Sequence, residues 1–354
     1  MTQRSTIQQA AAGIAAGAAL FLAGCAAPTS VTVLAGGDCM FGRSNSAQGT
    51  AGAVRWQGIA DAARSSTVFL FNLETTVGTG GTPRRAAYVF RAPPSALEAL
   101  RAFPAVIAGM ANNHTMDFGA SGLQGTLDSL DAAHIRHAGA GRDRAAAYEP
   151  AELSVGRAVV RVLSAGVDND PTSFASATRA GIAAIDLPSL RNAISAALGP
   201  RTVVVVMLHW GVEYDTAIAP AERSLAHALV EAGADVVIGT GPHVLRGVES
   251  WRGALICYSL GNLLFDDLES AETSAGMLVK MTVTDSWRGA RKRFFLAPLR
   301  TTSVAEGPRT PSPQEAAAIV RSVAERSPDP RIVGPPASGE DGLRWWELSA
   351  GSTL

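Results

Sequence analysis

Cysteine is scarce in this 354-residue chain, with three in all, and no CxxC or zinc-type Cys/His spacing occurs. Thiolate metal sites and a disulfide-stapled scaffold are therefore excluded. Charge of one sign is missing too: the net charge is −1, and arginine rather than lysine supplies nearly all the positive side. Without a basic excess there is no electrostatic case for a nucleic-acid partner. No internal repeat and no coiled-coil heptad is present. Charged residues make up only 17% against 47% hydrophobic, which argues for a packed globular chain rather than a disordered one. At this length the chain can bury one large core.

No apolar run is long enough to stay in a bilayer as a spanning helix. The longest near the start, residues 10–22, follows Arg4 and ends in Leu22-Ala23-Gly24-Cys25. That order of basic start, apolar middle, small residues and cysteine resembles a lipoprotein signal. It implies that residues 1–24 are a signal peptide and that Cys25 is lipidated. The acyl chains would hold the protein on a membrane, either the outer face of the cytoplasmic membrane or the outer membrane. Residues 25–30 then form a tether. Cys39 and Cys257 both lie in apolar strand-like runs and are expected to be buried, with a bridge between them left open.

What the chain does have is a series of apolar strands, each ending in polar residues. Strands are expected at 31–36, 67–71, 86–90, 105–108, 135–137, 151–164 (two), 201–208, 235–238 and 254–259. Helices are expected at 57–64, 95–101 (capped by Ser95), 119–130, 187–198 and 222–232. Continuous rather than alternating apolar strands imply sheets covered on both faces. Strands alternating with helices imply an α/β layered fold. From 277 to 295 the pattern changes to an alternating hairpin. Ser312-Pro313-Gln314-Glu315 opens a last helix with an N-cap, an N1 proline and an N3 glutamate. The Pro- and Gly-rich tail from Ser327 reads as loose until 343–347. The main domain is expected over 31–300, with 301–354 as a helix and tail packed on it.

The polar residues fall at the strand ends: Asp38, Glu74, Asn113 with His114, His209 and His243. The densest stretch is Asn112-Asn113-His114-Thr115-Met116-Asp117, a strand-to-helix turn of the kind where ligands sit in open α/β sheets. If the strands share a sheet, these loops converge. Carboxylates, an amide and imidazoles are the donor set of a divalent metal site, with Mn, Fe or Zn preferred over Ca. Glu74, able to bridge, allows for two ions as well as one. Arg43 and Arg91 are candidate anion holders, as either could grip phosphate or carboxylate by bidentate contacts. His134, His137 and His227 carry no such signal.

A family resemblance becomes specific when these stretches are taken together. They are Gly37-Asp38-x-Met40, Asn72-Leu73-Glu74, Phe90-Arg91-Ala92-Pro93, Asn112-Asn113-His114-x-x-Asp117, Gly139-Ala140-Gly141, His209-Trp210-Gly211-x-Glu213-Tyr214, Gly241-Pro242-His243-Val244-x-Arg246-Gly247-x-Glu249 and Tyr258-Ser259-Leu260-Gly261-Asn262. In this order they resemble the CapA family of poly-gamma-glutamate capsule biosynthesis proteins, over roughly 31–266. That family is similar to the calcineurin-like metallophosphoesterases. The resemblance implies a four-layer αββα sandwich. It assigns Asp38 and His243 to one metal, Asn113 and His209 to a second, and Glu74 as the bridge. His114 would be the acid or electrophile beside the substrate oxygen, and Tyr214 would lie beside the substrate. It also implies an anionic polymer or phosphoester as substrate and capsule-synthesis membrane proteins as partners. The implied activity is hydrolase-like, with a non-catalytic polymer-binding or scaffold lipoprotein as the alternative. Two positions depart from the superfamily pattern: Met40 stands where a histidine is usual, and neither Thr240 nor Gly241 supplies the histidine expected before the final Pro-His.

Overall fold

A computed structural model describes residues 30–42, 56–85, 88–266, 268, 270–286, 289–301, 306–330, 333–339 and 341–348. The signal-like segment, the tether with Cys25, and Arg43 lie outside the described residues.

Two sheets form the centre. The first runs Val333–Ser338, Arg344–Leu348, Gly289–Arg300, Ala275–Ser286, Ser30–Cys39, Val68–Leu73, Val106–Gly109, Arg136–Ala138, with Asn262–Leu264 pairing beside Ser30–Cys39. The second runs Val248–Trp251, Ala254–Cys257, Val236–Thr240, Thr202–His209, Ala158–Gly166, Ala151–Val155. In the second sheet the central strands are parallel and the two outer ones antiparallel. In the first, Ser30–Cys39 to Arg136–Ala138 are parallel up to the edge, and the strands on the other side of Ser30–Cys39 are antiparallel. Parallel pairing places Cys39, Leu73 and Gly109 at one edge of the first sheet. His209 and Thr240 likewise share one edge of the second.

The layering follows from side-chain alternation along the strands. Val203, Val205 and Met207 pack with Val33, Leu70 and Ile107 in a core between the sheets. Their neighbours Val204, Val206 and Leu208 face the opposite way, onto Leu190 and Ile194 of the Leu187–Ala197 helix and Leu229 of the Pro220–Ala232 helix. On the first sheet, Leu34, Phe69 and Phe71 turn outward onto Leu97, Leu100, Leu123 and Leu130. Helices, sheet, sheet, helices is the four-layer αββα sandwich that the resemblance implies. Strands buried on both faces are the reason their sequences lack alternation.

The 277–295 hairpin is longer than the sequence indicates, with arms Ala275–Ser286 and Gly289–Arg300. Its inner face outruns the second sheet. The Pro313–Glu325 helix covers it there, through Ala316, Ile319, Val320 and Val323. That helix has the expected capping box: Ser312 Oγ accepts from the Glu315 amide at 3.3 Å, and Glu315 Oε2 accepts from the Ser312 amide at 2.9 Å.

Four local readings are corrected. Of the strand expected at 86–90, residues 86 and 87 lie outside the described residues. The Phe90 carbonyl accepts from the Thr76 N–H at 3.2 Å, and the strand itself is Arg91–Ala92, paired with Thr76–Val77. The helix after Pro93 is a run of 3₁₀ turns over Pro94–Ala102, and Ser95 does not cap it. Val248–Trp251 is a strand hidden in a polar sequence, paired antiparallel with Ala254–Cys257. The tail is not loose, since Val333–Ser338 joins the first sheet through Arg344–Leu348. Pro335 and Pro336 are tolerated there because this is the sheet's outermost strand, where a missing N–H breaks no ladder on the solvent side. Cys39 and Cys257 are both free, both buried, and lie in different core clusters.

Candidate metal centre

The two parallel edges meet, and the polar strand ends meet with them. Asp38 lies in register with Asn72 on one neighbouring strand and Asn262 on the other. Strand Ser30–Cys39 can approach so closely because residue 37 is glycine: a Cβ there would stand 1.9 Å from the Gly261 carbonyl oxygen. Both Asp38 and Glu74 are fully buried. Asp38 Oδ1 accepts from the Asn72 amide at 2.8 Å, and Oδ2 from the Gly241 N–H at 3.0 Å. The latter bond needs the left-handed backbone at Gly241, with φ 105°, which glycine adopts without strain.

Around the carboxylates stand three imidazoles. Glu74 Oε1 lies 3.6 Å from His243 Nε2, 3.9 Å from His114 Nε2 and 4.0 Å from His209 Nε2. His209 Nδ1 is 3.7 Å from Asp38 Oδ1, and His243 Nδ1 is 3.3 Å from Asp38 Oδ2. Donor atoms of Asp38, Glu74 and His209 all fall within 4.8 Å of one another.

Each ring is held by a second partner. His243 Nδ1 is 3.0 Å from Asn262 Oδ1, and the Asn262 amide nitrogen donates to the carbonyls of His243 and Thr273. The oxygen of Asn262 therefore faces the ring as an acceptor, so Nδ1 carries the proton and Nε2 is left to bind. His114 Nδ1 meets Asp117 Oδ2 at 2.8 Å, the same oxygen that accepts the Phe90 N–H at 2.8 Å. The His114 ring also stacks on Phe90, with centroids 3.9 Å apart. His209 Nδ1 lies 3.2 Å from the Thr240 hydroxyl, which also reaches the Leu208 carbonyl at 3.4 Å. Ring orientation set by such outer partners is a general feature of metal-binding histidines.

The site is electrostatically frustrated as protein alone. Burial pushes the Glu74 carboxyl well up, and the charge of Asp38 adds to the shift. Burial works the same way on Asp38, but hydrogen bonds to His209 and His243 outweigh it and hold that carboxyl well below its usual range. His243 is pulled down by burial yet raised to about 10 by Glu74 and Asp38. His114 moves down, with burial outweighing Asp117. Glu74 Oε1 has no hydrogen-bond partner although it is buried, and neither has Asn113 Oδ1. A buried carboxylate oxygen without a hydrogen-bond partner, facing imidazole nitrogens, is a place where a cation could be held. The donor set of two carboxylates, an amide oxygen and two histidines fits a divalent ion.

Asn113 rather than Asn112 is the asparagine able to take part. Asn112 is saturated: its amide donates to Asn72 Oδ1 and the Leu73 carbonyl, and its oxygen accepts from His114 N and the Thr115 hydroxyl. At the two departing positions, Met40 is buried against Phe90 and Phe265, and Thr240 supports His209 instead of ligating.

The arginines and Tyr214 behave differently. Arg91 is turned onto the protein itself, which corrects its assignment as an anion holder. Its guanidinium lies 3.3 Å over the Phe118 ring and donates to the Gly80 carbonyl at 2.6 Å. Arg85, which the sequence did not single out, acts electrostatically on His114 and pairs with Asp168 at 2.7 Å. The Arg84-Arg85 doublet was the available signal. Asn72, Asp117 and Asn262 were also without assigned roles, although each lies inside a quoted motif. Tyr214 stands 6.3 Å from the His243 ring, on the wall of a cavity of about 550 Å³. His227 pairs with Glu249 at 3.1 Å, away from the carboxylate pair.

The chain is similar to several known proteins. The chain is 34% identical over 252 residues to a probable polyglutamine synthesis accessory protein of Mycobacterium tuberculosis, covering 66% of each. It is 35% identical over 168 residues to the capsule biosynthesis protein CapA of Bacillus anthracis, covering 45% of this chain and 40% of that one. Against the PGA biosynthesis protein CapA of Bacillus subtilis it is 34% identical over 161 residues, covering 45% and 42%. The matched segments thus span about two thirds of the mycobacterial relative and less than half of the two Bacillus proteins. Among solved structures, the NAD nucleotidase of Haemophilus influenzae overlaps 85% of this chain and 64% of its own. At a TM-score of 0.43 and 11% identity, that overlap is too loose to add to the topology above. Residues 32–267 match a single family description that takes in both sheet edges and every proposed ligand, and by that match the chain belongs to the bacterial capsule synthesis protein (PGA_cap) family.

Proposed function

We propose that this protein is a metal-dependent hydrolase serving the synthesis or export of a capsule- or polyglutamate-type polymer. The bond cleaved would be a phosphoester or an amide of the polymer. The observation that carries the reading is the orphaned Glu74 Oε1, buried among three imidazole Nε2 atoms at 3.6–4.0 Å. The names of the relatives, which refer to capsule, PGA and polyglutamine synthesis, supply the biological setting.

Asp38, Glu74, Asn113, His209 and His243 would hold the metal. A bound divalent cation supplies Lewis acidity, polarising a substrate oxygen and acidifying water. The chain's own residues do the rest. Asn72 donates to Asp38 and lies 3.5 Å from Glu74 Oε2, keeping the two carboxylates apart. His114, with its Nδ1 proton held on Asp117, keeps Nε2 turned to the centre, where it can move a proton to or from the reacting oxygen. Arg85, paired with Asp168 at 2.7 Å, adds positive charge on the side of that ring.

A scaffold reading has its own support. Thr240 and Gly241 hold His209 and Asp38 by hydrogen bonds where a further ligand is expected, which favours one well-held ion over two. His114→Ala separates the two readings. A hydrolase loses turnover of a manganese-supplemented phosphoester by about 10²–10⁴-fold while its metal content stays the same. A scaffold protein shows no wild-type turnover above the metal-free background. For location, we propose lipid anchoring through Cys25. Cys25→Ala then moves the protein out of the membrane fraction, and membrane association that survives a carbonate wash in this variant counts against the anchor.

A further inference from the structure

Five large apolar side chains are exposed among the described residues, and two of them, Tyr88 and Tyr214, line the same cavity beside His243. They are 74% and 63% exposed, so neither contributes to a core. Both have left-handed backbone conformations, with φ 54° and 64°. A bulky L residue is strained there, and an unconstrained surface position would take glycine or asparagine. Strain of this kind persists where the surroundings over-determine the backbone, and it gathers at ligand clamps.

The surroundings of Tyr214 do over-determine it. Its N–H donates to the Pro242 carbonyl at 2.8 Å, next to the proposed ligand His243. Arg246, which is 1% exposed, donates from Nε to the Asp215 carbonyl at 2.7 Å and from Nη2 to the Val212 carbonyl at 3.4 Å. Glu222 fixes the same guanidinium from the start of the following helix, with both carboxylate oxygens 3.0 Å from Nη1. A buried arginine therefore clamps both ends of the loop that presents the exposed ring.

The cavity wall indicates what the rings receive. At about 550 Å³ the cavity is of small-molecule size. Phe265 packs 4.7 Å from the His243 ring, and Asn262, Ser270 and Thr273 add polar atoms. Asp266 and Glu272 are the charged acidic groups in the lining, and no lysine or arginine lines it among the described residues. Arg326 fixes Glu272 from behind, at 2.9 Å from each oxygen. Beyond His243 and the metal it would hold, a chain of carboxylates would meet acceptors and aromatic faces among the described lining residues. A ring without charge presents a flat face to the tyrosines and its hydroxyl or N–H edge to the carboxylates.

We infer that this cavity is a subsite for an uncharged ring, either a sugar or a nucleobase, borne by a substrate whose phosphoester reaches the metal centre, with Tyr88 and Tyr214 as its stacking walls. The reacting end rests on the hydrolase reading, but the ring subsite can be tested without it. Manganese-loaded protein is titrated calorimetrically with a nucleoside, a methyl glycoside and tri-γ-glutamate, none of which carries phosphate. Tyr88→Gly and Tyr214→Gly are the variants, because glycine accepts the positive φ and keeps the loops intact. One ring probe is expected to bind wild type and to bind about tenfold more weakly to each variant, in line with the worth of one aromatic stack. Tri-γ-glutamate should not compete with it, and the melting temperature of each variant should not fall. Failure of both ring probes to bind wild type, equal binding to wild type and variants, or competition by tri-γ-glutamate overturns the subsite. Phosphoester turnover without ring binding removes the subsite alone. Ring binding without turnover removes the hydrolase reading alone.

Discussion

The two sheets contribute unlike chemistry to one centre. The first sheet's edge brings oxygen, from Asp38 and Glu74. The second brings nitrogen: His209 and His243. Asp38 lies on one strand and Glu74 just past the end of its parallel neighbour, and Asn72 bonds to the first and reaches the second, so the placement of the two carboxylates is settled within one sheet. The imidazoles reach them only across the sandwich, through contacts such as the Gly241 N–H to Asp38. Negative charge is thus preassembled on one side and is completed when the sheets pack. The inter-sheet core of Val33, Leu70, Val205 and Met207 is for that reason part of the metal site's support.

The largest expected effect separates the two contributions. Glu74→Ala or Asp38→Ala removes the charge that attracts a cation, and bound metal should fall to background by mass spectrometry after dialysis against manganese or zinc. His209→Ala leaves both carboxylates and should retain part of the metal. Equal loss in the two classes would break the asymmetry. A smaller effect is expected for Asn72→Ala, which leaves every ligand in place but frees the carboxylates. Metal affinity should drop by about 10–100-fold, as is usual for an orienting partner. An unchanged affinity would mean the carboxylates are held by their strands alone.

The smallest effect concerns the helix that covers the hairpin. The partly exposed Glu315 carboxyl is lowered to about 2 by the Ser312 N–H and by Arg309. A depressed folded pKa gives stability that is present above the unfolded value of 4.5 and lost as pH falls towards about 2. Glu315→Gln should flatten the fall in melting temperature across that window while metal content at pH 7 stays the same. If the variant also loses metal, the hairpin and its helix are not independent of the site.

Much of this was legible beforehand because it is local. Parallel strands buried on both faces announce themselves as β-branched runs, and the Ser312 capping box announces its helix. Asp38, Glu74, Asn113, His114, His209 and His243 all stood immediately after such runs. The failures were of another kind. Arg91 reads as a free anion holder, but its guanidinium is engaged by the 79–81 carbonyls and the Phe118 ring, contacts that the chain's folding brings to it from 10 to 27 residues away. The tail's prolines read as loop because nothing local says a segment will lie at the edge of a sheet.

The sequence by itself determined which residues end the strands and what donor types they carry, since periodicity and turn chemistry act over a few residues. Only the tertiary structure decided which atoms remain unpaired. Asn112 and Asn113 are identical side chains side by side, and Asn112 alone is used up, because Asn72 and Leu73 of a neighbouring strand come within its reach. Hydrogen-bond saturation depends on partners brought from distant parts of the chain. The same holds for Tyr214, whose backbone is set by Pro242 and by Arg246, residues about 30 positions away in sequence.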